Sequence, residues 1–138
     1  MKEIFDSNYH SLGRFVSWEI SRSKEYGTKH TGVILGENEF GQIMVIHNHP
    51  ESNISIVSID EFMDGRKYYS LRRPRLLLSQ IKTNIKNAIV RNRRYDLLNY
   101  NCQHFSSSIV DGYEVSNDVR NWGAALLFLG LGYLATRE

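Results

Sequence analysis

Tyr100-Asn101-Cys102-Gln103-His104-Phe105-Ser106-Ser107-Ser108-Ile109-Val110-Asp111-Gly112 is the stretch on which the reading of this chain turns. Cys102 to Val110 reads as a helix that Asp111-Gly112 ends. Cys102 then stands in the first helical turn, where unpaired backbone N–H groups and the helix dipole favour negative charge. It is the only cysteine in the chain. Cysteine attacks carbonyl carbons as the thiolate, so a thiol at a helix start with an imidazole beside it is a candidate nucleophile of lowered pKa. The plain alternative is a small buried core residue, which is how lone cysteines usually serve.

Two histidines upstream give the thiol its partners. His30 opens Lys29-His30-Thr31-Gly32-Val33-Ile34-Leu35-Gly36, and His47 ends Met44-Val45-Ile46-His47. Thr31 to Leu35 and Ile43 to His47 are β-branched runs separated by turn chemistry from Gly36 to Gly41, so they read as a hairpin. Neighbours across such strands touch. If the Cys102 helix packs across this hairpin, cysteine and both histidines converge. His49, in a His-Pro turn, and His104, two residues beyond the cysteine, read as structural groups, with His49 a spare orienting group. A His47/His49 metal pair lacks acidic or cysteine partners at suitable spacing, so neither a metal nor a cofactor is expected.

Outward from these motifs, Gly13 to Ile20 reads as a first strand, followed by a polar loop through Gly27. Ile54 to Ser58 is a further short strand, and Asp60 to Gly65 a turn of helix ended by glycine. From Leu78, apolar residues recur at Leu78, Ile81, Ile85, Ala88 and Ile89, which is helical spacing. Lys82, Lys86, Arg91 and Arg93 lie largely elsewhere on that wheel. Together with Arg94, Arg72, Arg73 and Arg75 they offer either a solvated face or a surface for anionic head groups. Ser116 is an N-cap candidate for a last helix, Asn117 to Ala135. Within it, Trp122 to Ala135 carries only apolar residues and glycine. It is short for a membrane span, which needs about 20 residues, and reads as a buried terminal helix or as an anchor.

The chain has 138 residues, which fits a single domain, 1–138. An apolar fraction of 41% is enough for a packed core, and a net charge of +2 is too small to imply nucleic acid. One cysteine excludes an intramolecular disulfide and a multi-cysteine zinc site. The N-terminus, Met1-Lys2-Glu3-Ile4-Phe5-Asp6, lacks a signal-peptide core, so the expected compartment is the cytoplasm, with membrane association through the C-terminal segment.

At these residues the chain resembles a known family. Asn101-Cys102-Gln103-His104-Phe105 is similar to the Asn-Cys-Glu-His-Phe motif of the lecithin:retinol acyltransferase-like proteins, which include phospholipase/acyltransferases and viral H-box/NC proteins. His30-Thr31-Gly32-Val33-Ile34-Leu35-Gly36 resembles their H-box, and Val45-Ile46-His47 the next strand. Gly13 to Val16, Tyr95 to Leu98 and Ser116 to Val119 fall where that family has similar segments. The resemblance spans roughly residues 13 to 120. It implies an α+β fold of circularly permuted papain-like (NlpC/P60) type, an antiparallel sheet packed against helices. It implies Cys102 as nucleophile, His30 as general base and His47 as the group orienting His30. Asn101 or the Cys102 N–H would serve the oxyanion hole.

The implied activity is thiol-dependent hydrolysis or transfer of an acyl group from a phospholipid or similar ester, through an acyl-cysteine. The implied partners are an acyl-lipid substrate and a membrane surface. Gln103 departs from the family's glutamate, and the hairpin between the histidines is longer. The permuted papain-like isopeptidases share the early histidine and the late cysteine motif, but use a Cys/His dyad, so His47 favours the first family. A toxin domain and a non-catalytic H-box/NC protein are the remaining readings.

Overall fold

Val33-Ile34 and Val45-Ile46 are consecutive pairs in which all four side chains are fully buried. Neighbouring residues of a strand point to opposite faces, so a sheet with such pairs must be covered on both sides. The computed structural model, which describes residues 2–5 and 9–123, has this arrangement. It is an α+β fold with one six-stranded sheet, order β1-β6-β2-β3-β4-β5, in which every pairing is antiparallel.

The strands are β1 (Lys2–Phe5), β2 (Glu19–Ser23), β3 (Lys29–Glu37), β4 (Ile43–His49), β5 (Asn53–Ser58) and β6 (Tyr68–Arg72). The helices are α1 (Ile59–Met63), α2 (Leu78–Arg91) and α3 (Cys102–Val110), with helical backbone again over 117–123. One face of the sheet packs Ile20, Ile34, Val45, Tyr69 and Leu71 against Leu12 and, from α1, Phe62 and Met63. The other packs Val33 and Ile46 against Phe105, Ile109 and Val110 of α3 and Ile81 of α2. α3 therefore lies across the β3–β4 hairpin, on the face opposite α1.

The hairpin turn is built by Asn38, whose Oδ1 accepts from the N–H of Phe40 (2.9 Å) and of Gln42 (3.0 Å). α1 is capped by the Ser58 hydroxyl, which accepts from Glu61 N–H, and ends with Asp64 and Gly65 at positive φ. β5, α2 and the end of α3 at Asp111-Gly112 follow the sequence reading.

The first strand is a correction. Gly13 to Ile20 is not one strand: Tyr9–Phe15 is a 3-10 helical segment, and the strand begins at Glu19. Ser17, at φ 73°, breaks any extended run, and Leu12 and Phe15, three apart, turn together toward the core. The strand then runs to Ser23, into the expected loop.

Two strands, β1 and β6, escaped the sequence pattern. β6 lacks β-branched residues, yet is held centrally by β1 and β2. It is also fixed by charge. Arg72 binds Glu19 (Nε–Oε1, 2.9 Å) and Asp111 (NH2–Oδ2, 2.8 Å), tying β6 to β2 and to the end of α3. Burial works against its charge, but these bonds outweigh that and hold the guanidinium above its ordinary pKa. Arg72 is thus spent inside the fold. Arg93 is likewise paired with Glu114 and stacked on Tyr100, and Arg73 lies over Trp18. The basic residues do not form one free surface; Lys82, Lys86 and Arg91 remain exposed on α2. Of the apolar segment 122–135, only 122 and 123 fall among the described residues. Among those residues no helix is long and apolar enough to cross a membrane.

Candidate active site

The backbone of β3 decides where the thiol sits. Ile34 uses its N–H and C=O toward the β2 side, on Trp18 O (3.0 Å) and Ser17 N (2.7 Å). Backbone groups alternate in direction along a strand, so those of Lys29, Thr31 and Val33 point toward β4. Pairing of β3 with β4 nevertheless stops at Gly32↔His47, although the strands continue to Lys29 and His49. The start of α3 fills the gap. The Cys102 thiol donates to Lys29 O (3.7 Å), and the Thr31 N–H faces the sulfur. The Thr31 hydroxyl donates to Cys102 O (2.9 Å) and bonds Ser106 Oγ (2.8 Å). The sulfur therefore occupies a ladder position in the plane of the sheet, beside the peptide that joins Lys29 to His30.

His30 and His47 share a face with Ile34 and Val45, the α1 side. Their rings lie against Phe62 (centroids 5.1 and 5.9 Å) and meet each other at 4.9 Å. His30 Nε2 and His47 Nδ1 are 2.8 Å apart, a buried hydrogen bond. That bond engages Nε2 of His30 and not Nδ1. In this structure the thiol hydrogen bond goes to Lys29 O rather than to His30.

Both imidazoles are neutral at ordinary pH. Burial, helped by His47 and by the positive charges of Arg22 and Lys24, pulls His30 down to about 2. Burial, then His49 and Arg22, pull His47 down to about 4. The thiol moves against the sequence expectation. Cys102 is 2% exposed, and burial pushes its pKa up, although hydrogen bonds from Thr31 and the charge of Lys24 pull the other way. A helix N-terminus lowers a thiol pKa, but desolvating the thiolate costs more here. The resting pair is thiol and imidazole, not thiolate and imidazolium.

Asn101 is also corrected. It is the N-cap of α3, its Oδ1 accepting from Gln103 N–H (2.9 Å) and His104 N–H (3.0 Å). Its two amide hydrogens go to Leu97 O (3.0 Å) and Ser116 Oγ (2.9 Å), which leaves no side-chain donor for an oxyanion. The Cys102 N–H is the donor that remains at this helix start. His104 has the structural role expected, its Nδ1 accepting from Asn101 N–H (3.0 Å). His49 accepts from Glu51 N–H (3.2 Å), and its ring lies 5.5 Å from that of His47.

Several residues here carried no legible signal. Arg22, directly across from His30 in register, is 8% exposed and donates from Nε to Phe62 O (2.6 Å). Asn48 is fully buried and donates to Tyr100 O (2.8 Å), holding the loop before Cys102. A cavity of about 330 Å³ opens on Cys102, walled by Leu97, Leu98, Val119 and Trp122, with Lys24 beside them. Among the described residues no cluster of His, Cys, Asp and Glu has the makings of a metal site. No known protein family, curated protein or solved structure matches this chain.

Proposed function

We propose that this protein is a thiol-dependent acyl hydrolase or acyltransferase with a permuted papain-like fold, acting on a phospholipid or similar acyl ester. The observation that carries the reading is the placement of the one thiol. Cys102 bonds the carbonyl of Lys29, the residue that precedes His30 of the hydrogen-bonded histidine pair, and forms part of the wall of an apolar cavity. A cavity of this size and lining suits one apolar chain better than an extended polypeptide.

The chemistry proceeds from the neutral pair. Cys102 gives its proton to His30 Nδ1 as the sulfur attacks the ester carbonyl carbon. His30 donates from Nε2 to His47 Nδ1, which fixes its tautomer and steadies the imidazolium formed. The tetrahedral oxyanion takes the Cys102 N–H at the positive end of α3. Collapse breaks the ester C–O bond, and the leaving oxygen takes the proton back from His30. Water or an amine, deprotonated by His30, then attacks the acyl-cysteine and releases the thiol.

The test is a mass spectrum of the intact protein after incubation with mixed phospholipids and with a chromogenic acyl ester. An acyl mass on Cys102, absent in Cys102→Ala, is the expected result. Cleavage of ubiquitin-like isopeptide conjugates with no lipid product would transfer the assignment to the isopeptidases.

A further inference from the structure

Gln103, next to the thiol in sequence, satisfies every hydrogen-bonding position of its side chain. Its Nε2 donates to Asp118 Oδ2 (2.6 Å) and to Lys29 O (3.2 Å). Its Oε1 accepts from Ser116 Oγ (2.9 Å) and from Asp118 N–H (3.0 Å). Only a primary amide supplies two donors and an acceptor with two lone pairs at this length; a carboxylate has no donor and an ammonium no acceptor. The network continues on both sides. Asp118 Oδ2 also accepts from Lys29 N–H (3.1 Å), and Ser116 Oγ accepts from Val119 N–H (3.3 Å). Ser116 and Asn101 are buried, at 2% and 5% exposure.

This tie joins three parts of the site: the first turn of α3, the open end of β3 and the start of the helical segment 117–123. Val119, Trp122 and Gly123 of that segment line the cavity that contains Cys102. We infer that Gln103 is a positioning residue: its amide holds the 116–123 segment over the thiol, and so sets both the shape of the cavity and the access to the sulfur. The inference deepens the reading of Cys102 as the reactive group.

Gln103→Glu makes the tie dependent on pH. A carboxylate at 103 faces the Asp118 carboxylate and the Lys29 carbonyl where two N–H donors stood. Two charged carboxylates at this separation repel and open the tie, and in acid, below the raised pKa of the pair, one proton shared between them closes it again. The experiment measures the rate at which dipyridyl disulfide, which reacts with thiols even in acid, modifies Cys102 in the full chain. No other cysteine contributes, and no substrate is needed, so the result stands apart from the acyl-transfer reading.

At about pH 8 the Gln103→Glu thiol should react roughly tenfold faster than wild type, the effect of losing one hydrogen bond to a charged group. The ratio should fall toward one by about pH 4, since the shared proton binds above the ordinary carboxylate range. Adding Asp118→Asn to Gln103→Glu restores a donor opposite the new carboxylate, and should bring the pH 8 rate most of the way back. A ratio of one at every pH, or a raised ratio that does not change with pH and is not rescued, overturns the inference. If Gln103→Glu does not fold, Asp118→Ala removes the other end of the tie. It should raise thiol reactivity at all pH values, and an unchanged rate there is equally fatal.

Discussion

His30 Nε2 lies 2.8 Å from His47 Nδ1, with both rings buried against Phe62, so each imidazole fixes the orientation of the other. The bond occupies Nε2 of His30, and the proposed mechanism uses Nδ1 for proton transfer. His30→Ala should therefore abolish turnover of a chromogenic ester. His47→Asn places an amide oxygen near the Nδ1 position and should keep more activity than His47→Ala, which should lose about a hundredfold. Equal losses for His47→Asn and His47→Ala, in protein of native circular dichroism, would remove the orienting role.

The thiol should be slow to label. Cys102 is 2% exposed and its pKa is pushed up by burial. Iodoacetamide modification of the native protein should rise with pH through a midpoint above about 8.5, the ordinary thiol value. Unfolding in urea should bring the midpoint back to that value. A native midpoint below 7 would mean that a thiolate–imidazolium pair forms after all.

Acid should destabilise the fold early. His30 and His47 are held at about 2 and about 4 in the folded protein, against 6.5 as the ordinary value. Between pH 6.5 and 4 the unfolded chain binds protons that the folded chain refuses, so stability falls as pH falls. The slope approaches about 1.4 kcal/mol per pH unit for each histidine. His47→Asn should flatten this slope in urea titrations from pH 7 to 4.5, by removing one of the two groups. An unchanged slope would show that the pair is not what responds.

Gly32→Ala should be costly. A Cβ at Gly32 would lie 2.6 Å from Val45 Cγ1 and 3.0 Å from both Ile46 O and Phe62 Cε2. Phe62 also packs on both histidines, so the strain is delivered to the site. We expect a loss of about 1–3 kcal/mol or more in denaturant unfolding. Gly13→Ala, whose nearest atoms are at 3.5 Å, should change stability by less than about 0.5 kcal/mol. Comparable small effects at both positions would refute the close packing at Gly32.

Local pattern was enough for the hairpin, α1, α2 and α3. Val33-Ile34 and Val45-Ile46 sit in runs with no other use than a covered sheet, and Asn101 with Asp111-Gly112 brackets α3 with residues that cap and end helices. Local pattern failed at Gly13 to Ile20 and at Tyr68–Arg72. The first has strand composition, but Ser17 turns the chain. The second has two tyrosines but no β-branched residue, and its position between β1 and β2, with the pairing of Arg72 to Glu19 and Asp111, makes it a strand.

By itself the sequence determined the chemical inventory: one thiol at a helix start, and histidines on two adjacent strands with the spacing to meet. These follow from residue type and local periodicity. Only the tertiary structure decided their state. Whether Cys102 is a thiol or a thiolate depends on how much water reaches it, and the gap between β3 and β4 that buries it is set by contacts more than seventy residues apart. The tie from the Asn101 amide to Ser116, and the closing of Gln103 onto Asp118 and Lys29, likewise depend on separate segments that packing brings together. Desolvation and long-range hydrogen bonding are properties of the assembled fold, and no local spacing encodes them.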